Sequence, residues 1–245
     1  MTWGGKPLRD WRLDRGSLVW VGLAPLIAVA LISAAGRGIA LATGSEPFAA
    51  LYAILPPRAL EDGRTLDRWF ASHAVLTWIH IAAGTLVLGL ALFQFVPRLR
   101  QRHVSVHRWT GRLVLLAAVP TAISGLILQA RSPYGGVLAA SAIFLAGALF
   151  LVALLRAYWA IRRRDVGHHR EWMIRLLAVS LGVGTVRLVA IPLILLTERR
   201  PLELVGVAFW LGFALPVLAG ELWIRATRAA SAPAGAGERP WARAT

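Results

Sequence analysis

Six apolar stretches, each close to the roughly 20 residues that cross a bilayer core, set the terms for this chain. They run from about Leu18 to Gly36, Ala74 to Val96, Leu113 to Ala130, Val137 to Leu155, Met173 to Leu196 and Leu204 to Gly220. Hydrocarbon offers no partner to a backbone N–H or C=O, so runs of this length must satisfy their own backbone as helices. The expected fold is an all-α polytopic membrane helix bundle of six transmembrane helices. A composition of 57% hydrophobic and only 16% charged residues excludes an ordinary soluble domain. The first run is longer than a signal-peptide core and reads as an uncleaved anchor.

Short connections join spans two to five, which predicts a four-helix core of two antiparallel hairpins, 73–130 and 137–196. The domain plan is a leader over 1–17, the six-span domain over 18–225, and a disordered tail over 226–245, poor in bulky apolar residues. The long connection from Arg37 to Ser72 contains "PFAALYAILPP", expected as a short surface helix ended by Pro56 and Pro57. Pro25, Pro120, Pro192 and Pro216 fall inside spans and mark expected kinks.

The net charge is +15, and its distribution says why. Lys6, Arg9, Arg12 and Arg15 precede span one, and Arg98, Arg100, Arg102, Arg108 and Arg112 join spans two and three. Arg156, Arg162, Arg163, Arg164, Arg170 and Arg175 join spans four and five, and Arg225, Arg228, Arg239 and Arg243 follow span six. The other connections hold Arg37, Arg58, Arg64, Arg68, Arg131, Arg199 and Arg200, mixed with Glu46, Glu61, Asp62, Asp67 and Glu198. This asymmetry predicts that both N- and C-termini are cytoplasmic. Charge that serves topology removes the case for nucleic acid. The lipid bilayer is the expected partner, with anionic lipid at the cytoplasmic Arg clusters.

The chain has no cysteine, which excludes thiolate metal sites, disulfides and cysteine nucleophiles. No phosphate-binding glycine loop, metalloprotease His-Glu pair or Ser-His-Asp set stands in suitable context, so an enzymatic role has no motif behind it. Ionisable groups inside the membrane remain the place to look. His73 and His80 are seven residues apart, on one helical face at about 10 Å, with Thr77 between them. Arg187 lies about 13 Å from the outer end of span five, at a depth comparable to His80. One reading is an outer-leaflet pocket of His73, Thr77, His80 and Arg187, with Gln129 and Tyr134, for a small hydrophobic or anionic ligand. The plainer reading bonds Arg187 to carbonyls near Pro192 and Gly184 and makes His80 a packing partner.

Haem b requires axial imidazoles from helices that face each other. His73 and His80 share a helix and cannot clamp one haem. A haem or metal ligand set would draw on His80, or pair His107 with His168 or His169. Against that stands the reading of His107, His168 and His169 as polar residues at the headgroup level. "RQRHVSVHRWTGR" and "RRRDVGHHREWMIR" also form a faint parallel repeat, each an Arg-rich turn leading to His-Arg, Trp and Arg.

These segments resemble a family of predicted bacterial multi-pass membrane proteins with a domain of unknown function, 2306. The residues that carry the resemblance span His73 to Leu188. They are Gln94, Phe95, Arg98, His107, Arg108, Gly111 and Arg112, then His169, Arg170, Glu171, Trp172, Met173, Ile174 and Arg175, then Arg187 and Leu188. Spans one and six lie outside it. The resemblance implies a multi-pass protein of a bacterial inner (plasma) membrane and implies no activity. Three readings stay open: a redox protein binding haem b or quinone, a small-molecule or ion transporter using the His80–Arg187 pocket, and a structural or lipid-interacting component.

Overall fold

The structure, a computed structural model, describes residues 2–3, 6–7, 15–47, 56–96, 102–197 and 199–229, with side chains described from residue 22 onward except 92 and 229. Among the described residues, apart from a two-residue pairing of Thr2 with Pro7 and Trp3 with Lys6, every regular element is helical. The helices are α1 (Arg15–Thr43), α2 (Pro57–Ser72), α3 (Ala74–Phe95), α4 (Val104–Arg131), α5 (Gly136–Arg162), α6 (Val166–Thr197) and α7 (Pro201–Ala229). All except α2 are long and apolar enough to cross a membrane, which makes six spans.

The four-helix core is formed as expected. Its buried cluster comprises Val87 of α3, Val114, Ala117, Ala118 and Ala122 of α4, Ala146, Phe150, Ala153, Leu154 and Ala157 of α5, and Met173, Leu176 and Val179 of α6. Alanine dominates because lipid tails are as apolar as leucine, so association depends on close backbone approach. Helix α7 joins this core along α6 and, less extensively, α5, with Phe213 and Val217 against the cluster. Glycines permit the tightest crossings. A Cβ at Gly182 would stand 2.1 Å from the Phe213 ring, and one at Gly184 would stand 2.3 Å from the Leu26 carbonyl of α1.

Hydropathy finds the lipid-facing part of a helix, and five of the described helices outrun it: α1, α5 and α7 chiefly at their ends, α4 and α6 at their starts. Helix α4 begins at Val104 and α6 at Val166, so His107 to Arg112 and His169 to Arg175 lie on helical turns. Asp165 starts α6 as a cap, its Oδ1 accepting the His168 N–H at 3.0 Å. The turn before it closes with Asp165 N–H on the Ala160 carbonyl at 2.9 Å and Arg164 at φ 61°.

Most of the "PFAALYAILPP" segment (48–55), together with Arg98 and the tail from residue 230, lies outside the described residues. The described part of that connection holds an element the apolar pattern conceals. Helix α2 opens with Pro57 at its first position, where a missing N–H does no harm. It meets α3 at His73, whose φ of −117° and ψ of 37° break the helix.

Candidate functional site

The bundle has an Arg-rich end, where α3, α5 and α7 finish and α4 and α6 begin, and an opposite end of mixed charge. His80 lies seven residues into α3 from the mixed-charge end. Its Nδ1 is 3.0 Å from the Thr121 carbonyl of α4 and 3.4 Å from Ser124 Oγ. A carbonyl only accepts, so Nδ1 carries the hydrogen and Nε2 keeps a lone pair. Around Pro120 the hydroxyl side chains of α4 bond back to carbonyls one turn earlier, as Ser and Thr do inside helices. Ser124 Oγ donates to the Pro120 carbonyl at 2.5 Å, and Thr121 Oγ1 donates to the Ala117 carbonyl at 2.8 Å. Gly125 gives the imidazole its space: a Cβ there would stand 2.8 Å from His80 Cε1.

Arg187 lies on α6, which packs against α3. Arg187 Nη1 donates to the Val183 carbonyl, one turn back on its own helix, at 2.6 Å. The other expected members divide. Thr77 and His73 serve the joint between α2 and α3. Thr77 Oγ1 donates to the carbonyls of Phe70 at 3.1 Å and His73 at 3.0 Å. His73 Nδ1 contacts Ser72 Oγ and the Trp69 carbonyl, and its ring lies 4.8 Å from Trp69. Gln129 is buried further along α4. Tyr134 sits edge-on to Trp69 at 6.3 Å, and it lines a shallow cleft of about 370 Å³ with Pro133, Gly135, Arg200, Leu202 and Glu203.

At the mixed-charge end, most of the carboxylates that dilute the basic count are matched to arginines. Asp62 is fully buried, and its Oδ1 accepts Arg200 Nη2 at 2.5 Å and Nε at 3.1 Å. Its Oδ2 accepts the Leu202 N–H at 3.1 Å, so a side chain of α2 caps the start of α7. Arg37 of α1 pairs with Asp67 and lies 4.4 Å from the Phe70 ring. Arg64 grips Glu46 with both Nε and Nη2, at 2.7 and 3.0 Å, which holds the Glu46 carboxyl below its usual range. Sequence reading counted these residues and did not pair them. Periodicity reports which face of a helix is apolar, and partner choice across about 140 residues leaves no such trace.

The residues of the two Arg-rich segments knit the opposite end together. Gln94 Nε2 reaches Thr110 Oγ1 at 2.5 Å and the His107 carbonyl at 3.3 Å, and Gly111 gives its amide room. Arg112 lies over Trp109 at 4.9 Å, and Arg108 is exposed. His169 Nδ1 is 2.9 Å from the Ala157 carbonyl of α5, while exposed His168 bonds Asp165 at 2.7 Å. Glu171 pairs with Arg228, and Arg170 donates to Thr227 Oγ1 at 3.1 Å. Arg175 binds Glu221 at 2.5 and 3.0 Å and lies 4.5 Å from the Trp172 ring.

His80 and His169 thus hold the same tautomer against a neighbouring helix, an arrangement that orients metal-ligating histidines and free proton acceptors alike. They occupy opposite ends of the bundle and cannot share one ligand. Among the described residues, no three His, Asp or Glu side chains converge as a metal-ligand group.

Six apolar helices, four of which build the shared core, define a polytopic α-helical membrane protein. A family model described as "Predicted membrane protein (DUF2306)" matches residues 77–224, and the chain belongs to that family. The match runs from the first turn of α3 nearly to the end of α7, so span six, placed outside the resemblance on sequence, is part of it. No curated protein and no solved structure matches the chain.

Proposed function

We propose that this protein binds the head group of a lipid-soluble quinol or quinone between α3, α4 and α6. The observation that supports it is the His80 Nδ1–Thr121 carbonyl bond, which leaves Nε2 to accept from a proton donor, on a helix packed against the one that carries Arg187. An Nε2 lone pair accepts an O–H, and a guanidinium stabilises the oxyanion that remains, so the two groups complement a hydroxyl-bearing ring. His80 is the one histidine inside the described spans away from both helix ends, which favours quinol over a haem needing imidazoles from facing helices.

In this reading the Arg-rich end faces the cytoplasm of a bacterial cell, with both termini there and the site in the outer half of the plasma membrane. Arg108, Arg112, Arg162, Arg163 and Arg164 attract anionic lipid at that surface. The terminal segments before 18 and after 225 lie outside the six-span domain.

The test is titration of nanodisc-embedded protein with a short-chain benzoquinol, read by tryptophan fluorescence, beside an absorption spectrum of the same sample. The proposal expects saturable quenching, weakened at least about tenfold in His80→Ala and Arg187→Ala, as for loss of a charge-assisted hydrogen bond. Equal quenching in all three proteins sinks it, and a Soret band that shifts on reduction replaces quinol with haem. The second reading, His80 as a packing residue, is favoured by the close Gly125 contact. It expects both variants to lose stability and no binding in the parent. Accumulation of a solute by proteoliposomes, abolished in both variants, would point to the transporter instead.

A further inference from the structure

Helix α2 is 16 residues long, about 24 Å, enough to lie across the end of a helix bundle. Its tethers reach different elements. Asp62 holds the start of α7, Arg64 holds Glu46 after α1, Asp67 holds Arg37 of α1, and Trp69 rests against Tyr134 between α4 and α5. Its fully buried residues are Ala59, Asp62 and Gly63, and its large apolar side chains Leu60, Leu66, Trp69 and Phe70 are only half-buried. Helices that belong permanently to a fold bury a stripe of large apolar side chains. This one adds ion pairs and side-chain hydrogen bonds, of which exposed Arg64–Glu46 and half-buried Arg37–Asp67 break at modest cost while buried Asp62 holds Arg200 more firmly. At its far end the helix breaks at His73, and the Thr77 hydroxyl on the Phe70 and His73 carbonyls keeps that joint together.

We propose that α2 is a lid over the mixed-charge end of the bundle, latched by Asp62 and Asp67 and hinged at His73, and that its release admits ligand to His80. The lid guards the site assigned above, and the inference rests on that reading for what passes it. The movement itself has a readout that needs no ligand.

The chain has no cysteine, so single thiols report access cleanly. Ser124, beside His80, is 2% exposed, and Ala153, in the four-helix core, is fully buried. Ser124→Cys and Ala153→Cys proteins in nanodiscs are treated with a small, positively charged methanethiosulfonate. With the latch intact, both label slowly. Adding Asp62→Asn and Asp67→Asn accelerates labelling of the Ser124→Cys protein at least about tenfold and leaves the Ala153→Cys protein slow. Equal Ser124→Cys rates with and without the latch overturn the lid. So does acceleration at both positions, which is general loosening. Asp67→Asn alone, which spares buried Asp62, answers the same question if the double variant does not purify. Labelling that responds to the latch in a protein that binds no quinol keeps the lid and removes the ligand. The reverse pattern removes the lid and keeps the ligand.

Discussion

The imidazole of His80 fills the space that Gly125 leaves on α4, while its Nδ1 holds the Thr121 carbonyl at 3.0 Å. One residue thus sets both the packing distance and the hydrogen bond between α3 and α4. Gly125→Ala should destabilise the detergent-solubilised protein by about 1–3 kcal/mol, as overpacking does. His80→Ala added to it should recover part of that loss, because the clash disappears with the ring. Additive losses in a double-mutant thermal-unfolding cycle would separate the two positions.

Asp62 is the buried acceptor between α2 and the start of α7. Arg200→Ala leaves the Asp62 carboxyl with one backbone N–H and should lower the unfolding temperature, less than for a fully buried pair because Arg200 stays 38% exposed. Asp62→Ala removes charge and cap together and should lower it by a similar amount. The double variant should be no worse than either single one. A loss equal to the sum of both would refute the coupling.

Arg175 serves two partners, Glu221 and the Trp172 ring. Arg175→Glu should destabilise α6 against α7, and Glu221→Arg in the same chain should rescue most of the loss. A residual deficit of about 0.5–1 kcal/mol should remain, the share of the cation over the indole. Full rescue would mean that Trp172 contributes nothing.

Close crossings predict an order among glycines. Gly184→Ala meets the backbone carbonyl of Leu26, which cannot rotate away, whereas Gly147→Ala meets the Leu126 side chain at 2.6 Å, which can. Unfolding temperatures should fall much further for the first substitution. The reverse order would contradict the α1–α6 contact.

Two carboxyls outside the spans carry the pH dependence. Arg64 lowers Glu46, and the His168 backbone N–H, then its side chain, lower Asp165. A carboxyl whose folded value lies below its unfolded one stabilises the fold above the unfolded value. That contribution fades as pH falls through the ordinary carboxylate range of about 4 and is gone below the folded value. Thermal stability should therefore fall on acidification from pH 6 to about 3. Glu46→Gln should flatten the curve, and an unchanged slope would remove that pair from the account.

Sequence resolved what hydrophobic patterning encodes. The six spans and the four-helix core follow from run length and loop length. Helix α2 escaped because "EDGRTLDRW" is too polar to mark a buried stripe, and its partners lie on α1 and α7. The early starts of α4 and α6 escaped because a helix can continue past the apolar boundary, and Asp165 decides where α6 begins. Gln94 on Thr110 and His80 on Thr121 are contacts between antiparallel neighbours, fixed only once the helices have a relative rotation. The proline at 120 was legible, and the polarity gathered round it was the available hint.

The central claim is that His80 presents a lone pair at Nε2 to a ligand beside Arg187. Nitrogen-15 NMR of histidine-labelled protein in nanodiscs, with His80→Asn to assign the signal, reads this directly. The account predicts an Nδ1–H imidazole whose Nε2 resonance moves on addition of benzoquinol and stays still in Arg187→Ala. An Nε2–H tautomer, or an Nε2 resonance indifferent to the quinol, would contradict it.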